Sequence, residues 1–119
     1  MARARPLTRR RTIRRSAGPR PAPALALARR RRPRPYPEWK ALRAWNLLPE
    51  AEADRAGYLL RLARERAGLT QAELARRLGL SQQAVARAER WDSNPTVDLM
   101  RVWGTALGAR LEVALRFEE

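Results

Sequence analysis

Apolar residues recur at helical spacing along most of the chain between residues 36 and 108. The first group follows a proline cluster, and the interval of three between its members predicts one face of a short helix. Its members are Trp39, Leu42, Trp45 and Leu48. Aromatic residues at this spacing favour packing against the rest of the protein or a second subunit, and a surface for a partner protein is the alternative.

A second helix is predicted between Pro49 and Gly68, ending at about Ala67. Its first turn is acidic, and the positive end of the helix dipole favours acidic residues there. Gly68 is the expected stop, because glycine readily takes the positive φ that ends a helix. The acidic residues are Glu50, Glu52 and Asp54, and the apolar stripe consists of Leu59, Leu62 and Ala63.

Two short helices joined by a tight turn are predicted between residues 70 and 90. Thr70 and Glu73 have the spacing of a capping box, so the first helix begins at Gln71. Gly79 ends this helix, and Ser81 caps the next one. Two steeply crossing helices also need inward aliphatic residues and a small residue where their backbones approach. The chain supplies these as Leu74, Ala75, Leu78, Leu80, Val85 and Ala88, a pattern typical of a helix-turn-helix.

The outer face of the second of these helices is predicted to read DNA bases. Gln82, Gln83 and Arg87 share this face; glutamine can bond bidentately to adenine and arginine to guanine. Simple surface exposure is the alternative for any one of them. Contacts to DNA phosphates are expected from the helix N-termini and their surroundings, namely from Thr70, Gln71, Ser81 and Arg90.

The period of the apolar residues changes near the C-terminus. Residues 94–96 introduce a helix that ends at Gly108, with Val97, Met100, Trp103 and Leu107 on one face. Beyond it, apolar and other residues alternate, which predicts a half-buried strand with Leu111, Val113, Leu115 and Phe117 on one side. A lone strand needs a partner, either a second copy of the chain or a sheet edge of another protein. A frayed tail or a helix extension is the alternative.

Most of the positive charge lies in the N-terminal third of the chain. The 119 residues include 26 Lys+Arg and 12 Asp+Glu, a net charge of +14. Residues 1–35 contain 13 arginines and no acidic residue, so residues 36–119 carry only +1. The Arg-, Pro- and Ala-rich segment has too few large apolar residues to fold, which predicts a disordered tail. A basic arm that adds phosphate affinity is one interpretation of it, and a solvated tail or a misassigned translation start is the other.

Composition excludes several kinds of chemistry. The chain has no cysteine and no histidine, so it has no disulfide, no thiolate or imidazole metal site and no histidine-dependent catalysis. Its carboxylates are scattered singly, and we therefore expect neither an enzyme nor a cofactor. No apolar run approaches the roughly 18–20 residues that a membrane span requires, and the run at residues 22–28 is followed by four arginines instead of a cleavage site. A cytoplasmic protein is expected.

Residues 67–75, AGLTQAELA, and residues 80–89, LSQQAVARAE, resemble the Cro/C1 (Xre-type) helix-turn-helix family. The resemblance covers about residues 55–107. It implies an all-α bundle of about five helices that binds a palindromic double-stranded operator as a homodimer. It also implies that Gln71 contacts phosphate, that Gln82, Gln83 and Arg87 read bases, and that Arg64 and Glu89 form an internal ion pair.

Residues 101–113, RVWGTALGARLEV, are similar to the C-terminal end of HigA-type antitoxins. This shorter resemblance implies a repressor that neutralises a RelE/HigB-like RNase toxin and represses its own operon. The chain departs from that family in its long basic tail and in residues 91–93, where a glycine-containing turn is usual. A stand-alone regulator and an interaction protein with an RNA-binding tail are the alternatives.

The predicted fold is thus all-α, a compact helix-turn-helix bundle with one short C-terminal strand and a disordered basic tail. We divide the chain into the tail (1–35), a short amphipathic helix or linker (36–49), the helix-turn-helix domain (50–109) and a strand for dimerisation or partner binding (110–119).

Overall fold

The computed structural model describes residue 28 and residues 33–118. The predicted tail therefore lies almost entirely outside the described residues. These residues form six helices and no strand, which confirms the all-α class, and none of the helices has the length and apolar composition needed to span a membrane. The helices are α1 (Tyr36–Ala44), α2 (Glu50–Ala53), α3 (Ala56–Arg66), α4 (Gln71–Leu78), α5 (Gln82–Ala88) and α6 (Val97–Ala106).

The single helix predicted between Pro49 and Gly68 is wrong, because the structure has two helices there. α2 is one turn long and contains the acidic residues Glu50 and Glu52. Arg55 then takes an extended conformation, with φ −61° and ψ 115°, which interrupts the helical hydrogen bonds before α3 begins. The apolar stripe predicted for this region lies on α3, and all three of its members are buried.

The strand predicted at residues 110–117 is absent from the described residues, so this prediction is wrong for the single chain. The physical reason is that a strand needs a second strand to accept and donate its backbone hydrogen bonds, and the described chain offers none. The segment is held only where it leaves α6, with the Ala109 amide donating to the Gly104 carbonyl at 2.8 Å. Beyond the half-buried Leu111, Val113 is 64% exposed and Phe117 is 96% exposed.

Two clusters of buried side chains pack against different faces of α3. We call the first the aromatic layer; it consists of Tyr36, Trp39, Tyr58, Leu59 and Leu62, with Leu48 and Trp91 packed against it. We call the second the helix-turn-helix core; it consists of Leu60, Leu74, Ala75, Val85 and Trp103, bordered by apolar residues of α4, α5 and α6. Leu59 belongs to the aromatic layer and Leu60 to the helix-turn-helix core, so α3 packs against both clusters.

Arg34 belongs to the folded part of the protein, although composition places it in the tail. It is buried, and its guanidinium pairs with the carboxylate of Glu52 and lies 3.4 Å from that of Glu38. The hydroxyl of Tyr58 donates to the backbone carbonyl of Arg34. A composition window averages over its residues, so it misses a single arginine whose partners lie in later helices.

Glu65 gathers three hydrogen-bond donors at the edge of the aromatic layer. Its carboxylate accepts from the Tyr36 hydroxyl at 2.8 Å, from Lys40 at 3.1 Å and from Arg61 at 3.3 Å. Burial alone would raise the pKa of Glu65, but the hydrogen bonds from Tyr36 and Lys40 outweigh it and lower this pKa. Burial, together with the hydrogen bond to Glu65, raises the pKa of Tyr36 well above its usual range.

Candidate nucleic-acid interface

α4 begins and ends where the sequence predicts. The Thr70 hydroxyl accepts from the Glu73 amide at 3.0 Å, and the Glu73 carboxylate accepts from the Thr70 amide at 2.8 Å. The hydrogen bond from the Thr70 amide also lowers the pKa of Glu73. Gly79 ends the helix with φ 70°, and the Leu80 amide then donates to the Ala75 carbonyl at 2.9 Å. The capping box and the glycine stop are therefore confirmed.

α5 follows after a short turn and packs closely against α4. The Ser81 hydroxyl accepts from the Ala84 amide at 3.0 Å, which confirms the predicted cap. Val85 is fully buried in the helix-turn-helix core together with Leu74 and the small Ala75. Leu80 departs from the prediction, because it is 41% exposed. It lies in the turn, outside both helices, so neither helix directs its side chain inward.

The three predicted base-reading residues are exposed on α5. Gln82, Gln83 and Arg87 all lie at the surface, whereas Val85 is fully buried. At about 100° per residue, Gln83 and Arg87 lie about 40° apart on the side of the helix opposite Val85. Gln82 does not share that side: it is exposed in the first turn, about 100° from Gln83 and about 60° from Val85. The helix thus presents one amide, that of Gln83, and the guanidinium of Arg87 on the face opposite the core, with the Gln82 amide exposed on its flank.

The predicted phosphate-binding residues differ in how much of their hydrogen-bonding capacity is already used. Thr70 and Ser81 are exposed and use their hydroxyl oxygens as acceptors in the caps, which leaves each hydroxyl hydrogen available for donation. Arg90 is exposed and lies 3.4 Å from Asp92. Gln71 is half-buried, and its side-chain amide donates to Glu89 at 3.0 Å.

A buried hydrogen-bond network joins three helices behind this surface. Arg64 of α3 binds both carboxylate oxygens of Glu89, at 2.6 and 3.0 Å, and donates to the Leu69 carbonyl at 2.8 Å. Both charged side chains are largely buried, and the hydrogen bond to Glu89 raises the pKa of Arg64. Because Gln71 binds the same carboxylate, the network fixes the end of α5 relative to the start of α4. The contact between Gln71 and Glu89 was not foreseen from the sequence.

The backbone that follows α5 is held against α3 by a glycine. A Cβ atom placed on Gly57 would lie 2.0 Å from the Arg90 carbonyl oxygen and 3.0 Å from the Ala88 carbonyl oxygen. No other residue type fits this approach without a backbone shift. A glycine inside a helical pattern is a known sign of such an approach, but the sequence does not show which segment makes it.

Trp91 connects the segment after α5 to the aromatic layer. Its ring meets that of Tyr58 edge to face, with centroids 5.4 Å apart, and the Arg55 guanidinium lies 4.2 Å from its centroid. Sequence reasoning left the packing of Trp91 open. The structure places it directly behind the end of α5, so the aromatic layer supports the helix that carries the three exposed polar residues.

Residues 60–113 match the model of a helix-turn-helix family. No curated protein and no solved structure gives a significant match to the chain. The matched range begins within α3 and contains all of α4, α5 and α6, and so it covers the helix-turn-helix core but neither α1 nor α2. Residues 60–113 are thus similar to a Cro/C1-type helix-turn-helix, and this likeness suggests a DNA-binding transcriptional regulator.

Proposed function

We propose that this protein is a transcriptional repressor that binds a specific palindromic operator as a homodimer. The observation that carries the proposal is the exposure of Gln82, Gln83 and Arg87 on α5, within the matched range. In helix-turn-helix proteins the N-terminal residues of the second helix reach base edges in the major groove. α5 is then the recognition helix.

The side chains assigned to the interface suit two different tasks. Gln82 and Gln83 can bond to adenine N7 and N6, and Arg87 to guanine O6 and N7, so these residues specify the sequence. The hydroxyl hydrogens of Thr70 and Ser81, with Gln71 and Arg90, would donate to phosphates and set the position of the helix in the groove. The network around Glu89 supports this assignment, because it holds the recognition helix in place before DNA arrives.

The charge distribution assigns different roles to the two parts of the chain. Residues 36–119 carry a net charge of only +1, so their general attraction to DNA is weak. The 12 arginines of residues 1–32 would add affinity that is independent of sequence and falls steeply with salt. Deleting residues 1–32 should therefore flatten the salt dependence of binding and leave the sequence preference largely intact.

The test is a comparison of binding to two DNAs. The preferred site is first selected from a random duplex library, and affinities are then measured by competition on that site and on random duplex. Gln83→Ala should weaken binding to the selected site by about 1–3 kcal/mol and leave binding to random DNA nearly unchanged. Equal losses on both DNAs would contradict base reading by Gln83.

A pair of arginine variants controls for charge. Arg87→Ala and Arg101→Ala each remove one exposed positive charge from a helix, but Arg101 lies on α6 and pairs with Asp98 at 3.0 Å. Only Arg87→Ala should reduce the preference for the selected site. If Arg101→Ala reduces it equally, overall charge explains the effect and the assignment of Arg87 fails.

The finer proposal is that this repressor is the antitoxin of a RelE/HigB-like RNase toxin. It is supported by the likeness of residues 101–113 to the end of HigA-type antitoxins. Co-expression with the product of the neighbouring gene tests it. A stable complex that suppresses RNA cleavage is expected; a neighbour without RNase activity would favour the stand-alone regulator.

A further inference from the structure

The C-terminal segment has two chemically different faces. When its backbone is extended, one face carries Leu111, Val113, Leu115 and Phe117, and the other carries Arg110, Glu112, Ala114, Arg116 and Glu118. In the single chain Leu115 is 92% exposed and Phe117 is 96% exposed. An apolar face of this kind is typical of an interface, so we asked which partner fits the charges on its reverse side.

We propose that two copies of the chain pair these segments as antiparallel strands in one register, with Ala114 of each copy at the two-fold axis. This pairing rests on the homodimer of the proposed function and supplies its contact. It places Glu112 opposite Arg116 and Arg110 opposite Glu118, each pair occurring twice by symmetry. On the other face Val113 lies opposite Leu115, and Leu111 opposite Phe117. Every directly opposed pair is therefore of opposite charge, apolar, or Ala with Ala.

Neighbouring registers lack this agreement. With Val113 at the axis, Arg110 lies opposite Arg116; with Leu115 at the axis, Glu112 lies opposite Glu118. Like charges directly opposite each other destabilise a strand pair. With Glu112 or Arg116 at the axis, that residue faces its own copy, and a register in which the axis falls between two residues sets the apolar face against the charged one.

The symmetry of the charges identifies the occupant as a second copy. A two-fold interface requires a segment that is complementary to itself about its own midpoint, whereas a different protein imposes no such condition. The fold is compatible with this pairing, because the segment contacts α6 only near its start, at Gly104, and its exposure increases from there. Arg110 and Glu112 lie 3.8 Å apart in the single chain and share the charged face, so the pairing adds Arg116 beside them.

Cysteine cross-linking tests the register directly, because the chain has no cysteine of its own. Opposed residues of antiparallel strands have Cα atoms about 4.5–5.5 Å apart, within the range of about 4.4–6.8 Å that a disulfide spans. Full-length Ala114→Cys should become a covalent dimer under mild oxidation. Glu118→Cys is the matched control, since it is exposed on the same face but its two copies would lie about 26 Å apart. Cross-linking of both variants, or of neither, would overturn the proposal.

Charge reversal provides an independent test in solution. Glu112→Arg and Arg116→Glu should each raise the dimer dissociation constant roughly tenfold, because two opposite-charge pairs become like-charge pairs, and the double variant should return it close to the original. Sedimentation equilibrium measures these constants. In the register with Val113 at the axis, Arg116→Glu would instead strengthen the dimer, and in that with Leu115 at the axis, Glu112→Arg would; either result overturns the proposal.

The two proposals can fail separately. If Ala114→Cys does not cross-link while Gln83→Ala still lowers affinity for the selected site only, the register is wrong and base reading is retained. If the wild-type chain stays monomeric at every concentration and a toxin alone covers the segment, the homodimer contact proposed here is wrong.

Discussion

The aromatic layer and the helix-turn-helix core share one arrangement, a buried tryptophan surrounded by apolar side chains, but the types of those side chains differ. Each surrounds one tryptophan, Trp39 at 0% exposure and Trp103 at 1%. Each indole N–H donates to a backbone carbonyl, that of Glu52 at 2.8 Å and that of Leu60 at 3.2 Å, which removes the cost of burying it. The layer adds aromatic partners to its tryptophan, whereas the core adds aliphatic ones.

Each region also contains one buried Arg–Glu pair, and the two pairs join different segments of the fold. Arg34 and Glu52 join the segment before α1 to α2. Arg64 and Glu89 join α3 to the end of α5. The family match covers the second pair and not the first. The comparison teaches that the layer lies largely outside the part of the chain that resembles the helix-turn-helix family, and that it supports the end of α5.

The largest effect is expected from breaking the pair in the core. Glu89→Ala leaves the Arg64 guanidinium buried without a carboxylate, which should lower the free energy of unfolding by about 3–5 kcal/mol. Glu52→Ala should cost less, about 1–3 kcal/mol, because Arg34 keeps the carboxylate of Glu38 at 3.4 Å. Urea denaturation measures the free energy of unfolding of both variants. Arg101→Ala, which breaks an exposed pair, is the control and should change this free energy by less than about 1 kcal/mol. Equal losses of unfolding free energy in Glu89→Ala and Glu52→Ala would contradict the greater importance of the pair in the core.

The next effect concerns the glycine where the layer and the recognition helix meet. Gly57→Ala places a methyl group against the Arg90 carbonyl and should cost about 1–3 kcal/mol through backbone shifts. Gly104→Ala is the matched control within α6: its nearest contact would be 3.6 Å, and it should stabilise the protein by about 0.5–1 kcal/mol. Thermal unfolding of both variants gives the comparison. A stable Gly57→Ala protein would show that the close approach does not constrain the layer.

The smallest effect is a pH dependence confined to the layer. Hydrogen bonds from Tyr36 and Lys40 hold the folded-state pKa of Glu65 below that of the unfolded chain. Its interactions therefore stabilise the protein above the unfolded-state pKa and are lost as the pH falls through the folded-state pKa. The stability difference between wild type and Glu65→Gln should therefore be greatest near neutral pH and shrink at acid pH. Denaturation curves at several pH values measure it, and a difference independent of pH would contradict the role assigned to Glu65.

The parts that the sequence predicts are those whose interactions are local. Thr70, Ser81 and Thr96 cap helices by binding amides three residues later, so their spacing alone reveals them. Gly79 is also predicted locally, because a glycine directly after the last helical residue readily takes the positive φ that ends α4. The exposure of Gln83 and Arg87 follows from the helix period once the caps are placed, because both lie opposite the buried Val85. The contacts of Gln82, Gln83 and Arg87 with bases stay a prediction.

The parts that the sequence does not predict depend on partners distant in the chain. Gly57 lies against the Arg90 carbonyl, and Trp91 packs against the ring of Tyr58. Arg34 pairs with Glu52. No spacing rule connects such residues. The strand at residues 110–117 fails for a related reason, since its alternation is visible in the sequence but a strand exists only where a second strand completes its hydrogen bonds.

The sharing of α3 between the two clusters has a practical consequence for dissecting the protein. A fragment cut at residue 60, where the family match begins, would lose the first turn of α3 together with Tyr58, the ring against which Trp91 packs. Such a fragment would keep every DNA-contact residue predicted on α4 and α5 and still lack the support behind α5. The support behind α5 therefore depends on residues that precede the family match, so the boundary of that match is not the boundary of the packed unit.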